Sequence, residues 1–163
     1  MGATTTAAEL GRAFPDVPVV DSSGNHVRER VDSTPRLIVA TPRAEPAPES
    51  GYACAVILDA VSSLSRPGLA AVEQTVDRWM AILALVRSVR DGGRAVIVGP
   101  SEDAALQAMV RNDPVGWATR ELADRREARF PPAVPCGIVD GDPKAVATAA
   151  QRLREWFGTD LEM

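Results

Sequence analysis

Three short, unbroken apolar runs constrain this chain most. They are Arg36–Thr41 (RLIVAT), Tyr52–Ala60 (YACAVILDA) and Arg94–Val98 (RAVIV). Each has strand length, and Pro35, Pro42, Gly51, Gly93 and Gly99-Pro100 bound them. A strand with one wet face alternates apolar and polar residues. These runs do not, which predicts strands buried on both faces. Helical patterns lie between and after them. The longest spans Pro67 to Arg90, with Leu69, Val72, Val76, Trp79, Met80, Leu83 and Val86 recurring at three and four and Asp91-Gly-Gly93 ending it. Buried strands alternating with helices predict an α/β domain with a parallel sheet and helices on both faces.

The other segments fit around this frame. Thr5–Phe14 has helical spacing and stops at Pro15, Val17–Val20 reads as a short strand, and Asp21–Asn25 as a turn. Pro42–Gly51 holds three prolines and two glutamates and reads as a loop. Ser101-Glu-Asp predicts the cap of a helix running to about Arg111. Pro114–Ala128 predicts another helix, Val134–Val139 a strand, and Asp142–Phe157 a final helix with Pro143 at its first position. The last strand and helix read as the opening of a second domain that the chain does not complete.

Chemistry is scarce. At 163 residues the chain is one domain, or one domain and a fragment. Its net charge of −4 argues against a dedicated electrostatic funnel for nucleic acid, though not against a local basic face. Lys144 is the sole lysine, so the remaining positive charge is arginine. His26 is the sole histidine, and Cys54 and Cys136 stand far apart, so no zinc ligand set is present. Each cysteine sits in an apolar run, which predicts two buried, unpaired thiols. The N-terminus lacks a secretory pattern and no apolar stretch reaches a membrane span, so the expected location is the cytoplasm.

The strand ends carry no phosphate loop. Asp59 ends one apolar run. It reads as a helix-capping or loop carboxylate in preference to a magnesium ligand. Arg87 and Arg90 fall one turn apart at the end of the long helical pattern, with Arg94 just after Gly92-Gly93. They complement a helix C-terminus, or else meet a phosphate. Arg120, Arg125, Arg126 and Arg129 alternate with Glu121, Asp124 and Glu127, a mixture typical of a solvated or interdomain helix.

Several motifs, in order, resemble primosomal protein N′, the replication-restart DNA helicase family PriA. Gly2-Ala3-Thr4 through Ala8-Glu9-Leu10 and Phe14-Pro15 is similar to that family's Gly-Thr-Glu-x-x-x-Glu-Leu … Phe-Pro. Ala40-Thr41 stands where the family has the Gly-Thr that opens helicase motif V. Leu64–Glu73 is similar to its Leu-x-x-Pro-Asp-Phe-Arg-Ala-x-Glu, and Arg87 and Arg90 fall near motif VI. Glu121-Leu122, Arg125 and Phe130-Pro131-Pro132 match Glu-Leu-x-x-Arg … Tyr-Pro-Pro.

The resemblance implies a RecA-like second helicase lobe over residues 1–112. A connecting helix and Pro-Pro linker over 113–132 follow, then the start of a C-terminal domain, an incomplete α+β segment, over 133–163. It also implies DNA contact through Arg87, Arg90, Arg94, Arg125 and Arg129, with Thr41, Arg87 and Arg90 as vestigial nucleotide-site positions. The sequence departs from the family at motif V, where Pro42-Arg-Ala-Glu-Pro-Ala-Pro-Glu replaces a lysine-glycine pair and an acidic residue. It departs again at motif VI, where Val86 and Val89 replace glycines. No catalytic residue and no metal ligand is assigned. ATP and magnesium enter only if a first lobe is supplied, because firing needs an arginine of one lobe at the phosphate held by the other.

The expected role is therefore a non-catalytic DNA-binding or scaffold module in a bacterial cytoplasm. Its partners would be forked or single-stranded DNA and primosome or replication proteins, with no membrane. Two alternatives stay open. One is the second lobe of an active ATP-dependent 3′-to-5′ helicase. The other is an unrelated small α/β ligand-binding domain, which requires a closed pocket at the strand ends.

Overall fold

The computed structural model describes residues 2–157. The chain divides into two compact units, Met1–Thr119 and Arg120–Met163. The division falls inside a helix, whereas the resemblance implies breaks after residues 112 and 132. The last residues assigned to the C-terminal segment, 158–163, lie outside the described residues.

The first unit begins with α1 (Ala3–Ala13), β1 (Val19–Ser22), β2 (Arg30–Val31), β3 (Leu37–Ala40), β4 (Ala47–Pro48) and β5 (Cys54–Ile57). It continues with α2 (Ala60–Leu64), α3 (Ala71–Ala84), β6 (Arg94–Ile97), α4 (Ala104–Arg111) and the first part of α5 (Pro114–Glu127). The fold is α/β, and every strand pair is parallel. Among the described residues the pairs are β1–β3, β2–β4 and β5–β6, three separate two-stranded sheets where the sequence predicts one sheet covered on both faces. The pair β2–β4 lies partly in the proline-rich segment expected to be a loop.

Parallel strands need a long crossover, and α2 and α3 supply it between β5 and β6. Asp59 caps α2 by accepting from the Ser62 N–H at 3.2 Å, the capping role expected of it. That bond holds its carboxyl below the ordinary value of 3.8. The predicted 24-residue helical pattern shortens at both ends. At its start Gly68 turns through φ 125, a left-handed conformation that no helix tolerates, and α3 begins only at Ala71.

The core lies where α2, α3, α4 and the start of α5 meet. Ala60, Val76, Trp79, Ala105, Leu106, Ala108, Met109 and Trp117 are buried together, with Ile57 and Ile97 packed against them from β5 and β6. Buried Thr75 ties α3 to α2, its hydroxyl shared between Ser63 O at 3.1 Å and Ala71 O at 2.8 Å. Gly99 lies so close to this core that a Cβ there would come within 2.8 Å of Ala60 Cβ. In α4 the cap is Asp103, which accepts from the N–H groups of Ala105 and Leu106 at 2.8 and 3.1 Å.

The second unit comprises the rest of α5, an irregular stretch and α6 (Pro143–Phe157). The helix begins at Pro143 as predicted, with Asp142 accepting from Lys144 N at 2.9 Å. The strand predicted at Val134–Val139 does not form. A lone extended run has no partner for its backbone groups, and Ile138 is left 91% exposed. This also corrects the burial expected for Cys136, which is exposed. Cys54 is exposed too, and neither cysteine is in a disulfide.

Candidate nucleic-acid interface

Arg87, Arg90 and Arg94 are not arranged as helical spacing predicts. The helix α3 ends at Ala84, three residues before Arg87. There a long-range pairing captures the chain. Tyr52 N–H donates to Leu85 O at 2.8 Å and Arg87 N–H to Tyr52 O at 2.9 Å, so Val86 forms a parallel bridge with Tyr52. Tyr52 is itself anchored through its hydroxyl to Pro46 O at 2.5 Å. Its phenol titrates above the usual value, chiefly through burial and secondarily because of Glu45.

A single 3-10 turn, Val89–Asp91, follows. Ser88 caps it, accepting from Asp91 N and donating to the Asp91 carboxylate at 2.5 Å. The reversal closes through Gly92 at φ 80 and a Gly93 N–H to Ser88 O bond of 2.9 Å. Only glycine fits at 93, because a Cβ would lie 1.9 Å from Arg87 O.

The three arginines therefore have different surroundings. The guanidinium of Arg87 is a clasp, its Nε donating to Ser50 O at 3.2 Å and Gly51 O at 3.0 Å and its Nη2 to Ser50 Oγ at 3.3 Å. Arg90 projects from the 3-10 turn, and Arg94 opens β6. Both are exposed. Arg90 lies within the Ser88–Gly93 reversal and Arg94 directly follows it, so the turn carries local positive charge.

Of the other predicted pair, in the second unit, Arg125 serves the backbone. Arg125 is 9% exposed and donates from Nε to Glu121 Oε1 and from Nη1 to Pro131 O, each at 2.8 Å. Arg129 is exposed and left-handed at φ 55. Its N–H reaches Arg126 O at 3.3 Å, and the next N–H, of Phe130, reaches Arg125 O at 2.7 Å. That pair of bonds is a Schellman ending, a turn glycine or asparagine usually makes.

Thr41 follows β3, its N–H on Ser22 O at 3.3 Å and its carbonyl receiving Ala44 N–H at 2.9 Å. No hydrogen bond among the described residues links it to Arg87 or Arg90, the other two vestigial nucleotide-site positions. The loop after β3 and α3 border a cavity of about 270 Å³, lined by Arg43, Glu45, Gln74, Asp77 and Arg78 among others. It falls below the usual ~300–1,000 Å³ of ligand pockets, and its acids match its arginines in number. Among the described residues no cluster of His, Cys, Asp and Glu is placed to hold a metal, and no helix is long and apolar enough to cross a membrane.

Sequence reasoning missed one surface. Cys54, Val56 and Leu58 alternate along one face of β5 and its extension, beside Arg94 and Val96 of β6 and Val98 just past it. Val56 and Val96 are 55% and 49% exposed. Uniformly apolar runs concealed which face packs inward.

No protein-family model matches the chain. It is 42% identical over 154 residues to the "Probable replication restart protein PriA" of Mycobacterium leprae, covering 94% of this chain and 24% of that protein. To the protein of that name from Mycobacterium tuberculosis strain CDC 1551 it is 44% identical over 149 residues, 91% of this chain and 23% of the relative. The chain thus spans about a quarter of the length of the curated relatives it matches. Along nearly all its own length, it resembles one segment of the PriA replication-restart proteins.

Proposed function

We propose that this chain is a non-catalytic DNA-binding or scaffold module in a PriA-like replication-restart system of the bacterial cytoplasm. The observation that carries the reading is 42% identity over 94% of the chain to a protein named for replication restart, in a sequence without a phosphate loop. A RecA-like, helicase-lobe character for the α/β unit belongs to the same proposal. The module brings no cofactor of its own. ATP and magnesium act only if a nucleotide-binding lobe is supplied. Forked or single-stranded DNA and other replication proteins are its proposed partners.

Phosphate contact falls first to Arg90 and Arg94, which are exposed and not tied to backbone carbonyls as Arg87 is, with Arg129 as an additional contact. Arg87 and Arg125 hold the backbone that presents them. Fluorescence titration of a fork at two salt concentrations tests this. Binding should be weak, and log K should fall with log salt by about 0.9 per phosphate neutralised. Joint Arg90→Ala and Arg94→Ala substitution should weaken it without regard to sequence. Loss of all binding at low salt would remove DNA from the proposal and leave the scaffold role. DNA-stimulated ATP hydrolysis by the pure chain would overturn the non-catalytic reading.

A further inference from the structure

The cavity beside α3 is built from two elements. Along and just after α3, Asp77, Arg78, Ile82 and Leu85 recur at helical spacing on one face. Val76 and Trp79 bury the core from the other. The loop after β3 supplies Arg43 and Glu45. That loop is tied down at three points. Ser22 Oγ donates to Ala44 O at 2.7 Å, Ala44 N–H to Thr41 O at 2.9 Å, and the Tyr52 hydroxyl to Pro46 O at 2.5 Å. Arg43 sits among these bonds at a left-handed φ of 72, a conformation that persists only where the surroundings fix it. Among the described residues no hydrogen bond or ion pair joins either arginine to either acid. The Nε of Arg78 is shut off from water and has no hydrogen-bond partner among the described residues. A buried donor left unpaired costs stability, so it points to an acceptor that enters from outside.

We propose that this cavity is a site for one guanine base, presented by single-stranded DNA, an inference that rests on the DNA reading above and deepens it. The charges select the ligand. Two acids repel a phosphate or carboxylate, and two arginines repel a cation. A neutral ring with acceptors on one edge and donors on another satisfies both kinds of side chain. Guanine has that pattern: O6 and N7 accept, while N1–H and the N2 amine donate. The side edge of the Arg78 guanidinium, which includes the unpaired Nε, takes O6 and N7 as a fork. Asp77 and Glu45 accept from N1–H and the N2 amine. Ile82 and Leu85 give the ring an apolar face, and the exposed Arg43 lays its planar guanidinium on the other. Adenine lacks the donor pair, and thymine has a single N–H. At about 270 Å³ the cavity is below the size of pockets for larger ligands, and it suits a base splayed out of a single strand with its sugar and phosphate outside.

Fluorescence anisotropy at low salt tests this with oligothymidine strands that carry one central guanine, adenine, hypoxanthine or 7-deazaguanine. The guanine strand should bind about tenfold more tightly than the adenine or all-thymine strand. Hypoxanthine lacks the N2 amine and 7-deazaguanine lacks N7, so each should lose most of that preference. Asp77→Ala, at an exposed position, and Arg78→Leu should each abolish it and leave the all-thymine affinity as it was. Arg90→Ala with Arg94→Ala should instead weaken every strand alike. Circular dichroism checks that Arg78→Leu folds, and if it does not, Asp77→Ala and the base analogues carry the test. Equal affinity for the guanine and adenine strands would overturn the proposal and leave the DNA reading standing. So would a guanine preference that survives both substitutions in folded protein. If no strand binds, the DNA reading fails and free deoxyguanosine decides the cavity by saturation-transfer NMR. Signals that Asp77→Ala removes would uphold a guanine site filled by the free nucleoside, and their absence would overturn it.

Discussion

Arg125 and Glu121 face one another one turn apart on α5, Nε to Oε1 at 2.8 Å, while the other arm of the same guanidinium holds Pro131 O. The arginine thus joins a helix to the chain that leaves it. Hydrogen bonds to charged groups contribute roughly 1.5–3 kcal/mol each when well formed. Because Glu121 keeps about a third of its side chain in water, the lower part of that range applies. Arg125→Ala should destabilise the protein by about 2 kcal/mol in urea titrations. Arg125→Lys should recover little, because an ammonium cannot span both acceptors with a planar fork. Fork-DNA affinity at low salt should not change if the arginine only supports the backbone.

The two cysteines should behave as surface thiols. Both are exposed and outside any disulfide, so labelling with a chromogenic disulfide should be nearly as fast in native protein as in urea. A large acceleration on denaturation would restore the burial that their apolar neighbours suggest.

Acid should weaken the Asp32–Arg36 corner. The Asp32 carboxyl is held down to about 2, mainly by Thr34 and then by Arg36, against an ordinary 3.8. A carboxyl depressed by folding contributes stability that is complete above its unfolded value and is lost as pH falls through the folded one. The contribution should therefore fade between about pH 4 and pH 2. Asp32→Asn should lower the urea midpoint at pH 6 and make its dependence on pH shallower in that window. An unchanged acid slope would show that the contact does not persist in solution.

The cap of α4 should be measurable on its own. Asp103→Ala removes acceptors for two N–H groups and should cost about 1 kcal/mol, with Asp103→Asn closer to the parent.

In the core, Trp79 is 2% exposed among Val76, Leu106 and Met109. Trp79→Ala should cost about 3–5 kcal/mol, enough to unfold a marginal domain, with loss of near-ultraviolet dichroism as the readout.

The sequence by itself determined the α/β alternation, the capping roles of Asp59 and Asp103, the start of α6 at Pro143, the missing phosphate loop and the resemblance to restart proteins. Those properties are local: period, capping chemistry and motif order are written within a few residues of one another. Tertiary structure decided where long-range partners compete with local pattern. Tyr52 takes Leu85–Arg87 out of the helix that periodicity extends to Arg90, because backbone groups paired between distant parts of the sequence outweigh one more helical turn. Val134–Val139 stays irregular for the opposite reason, since no neighbouring strand accepts its hydrogen bonds. Burial was decided the same way. A uniformly apolar run such as Cys54–Ile57 names a buried strand without naming a face, and only the packing of Ile57 and Ile97 on the core leaves Cys54 and Val56 in water. The arginines could be located in the sequence, but Arg87 and Arg125 became backbone supports only because the fold brought carbonyls within their reach.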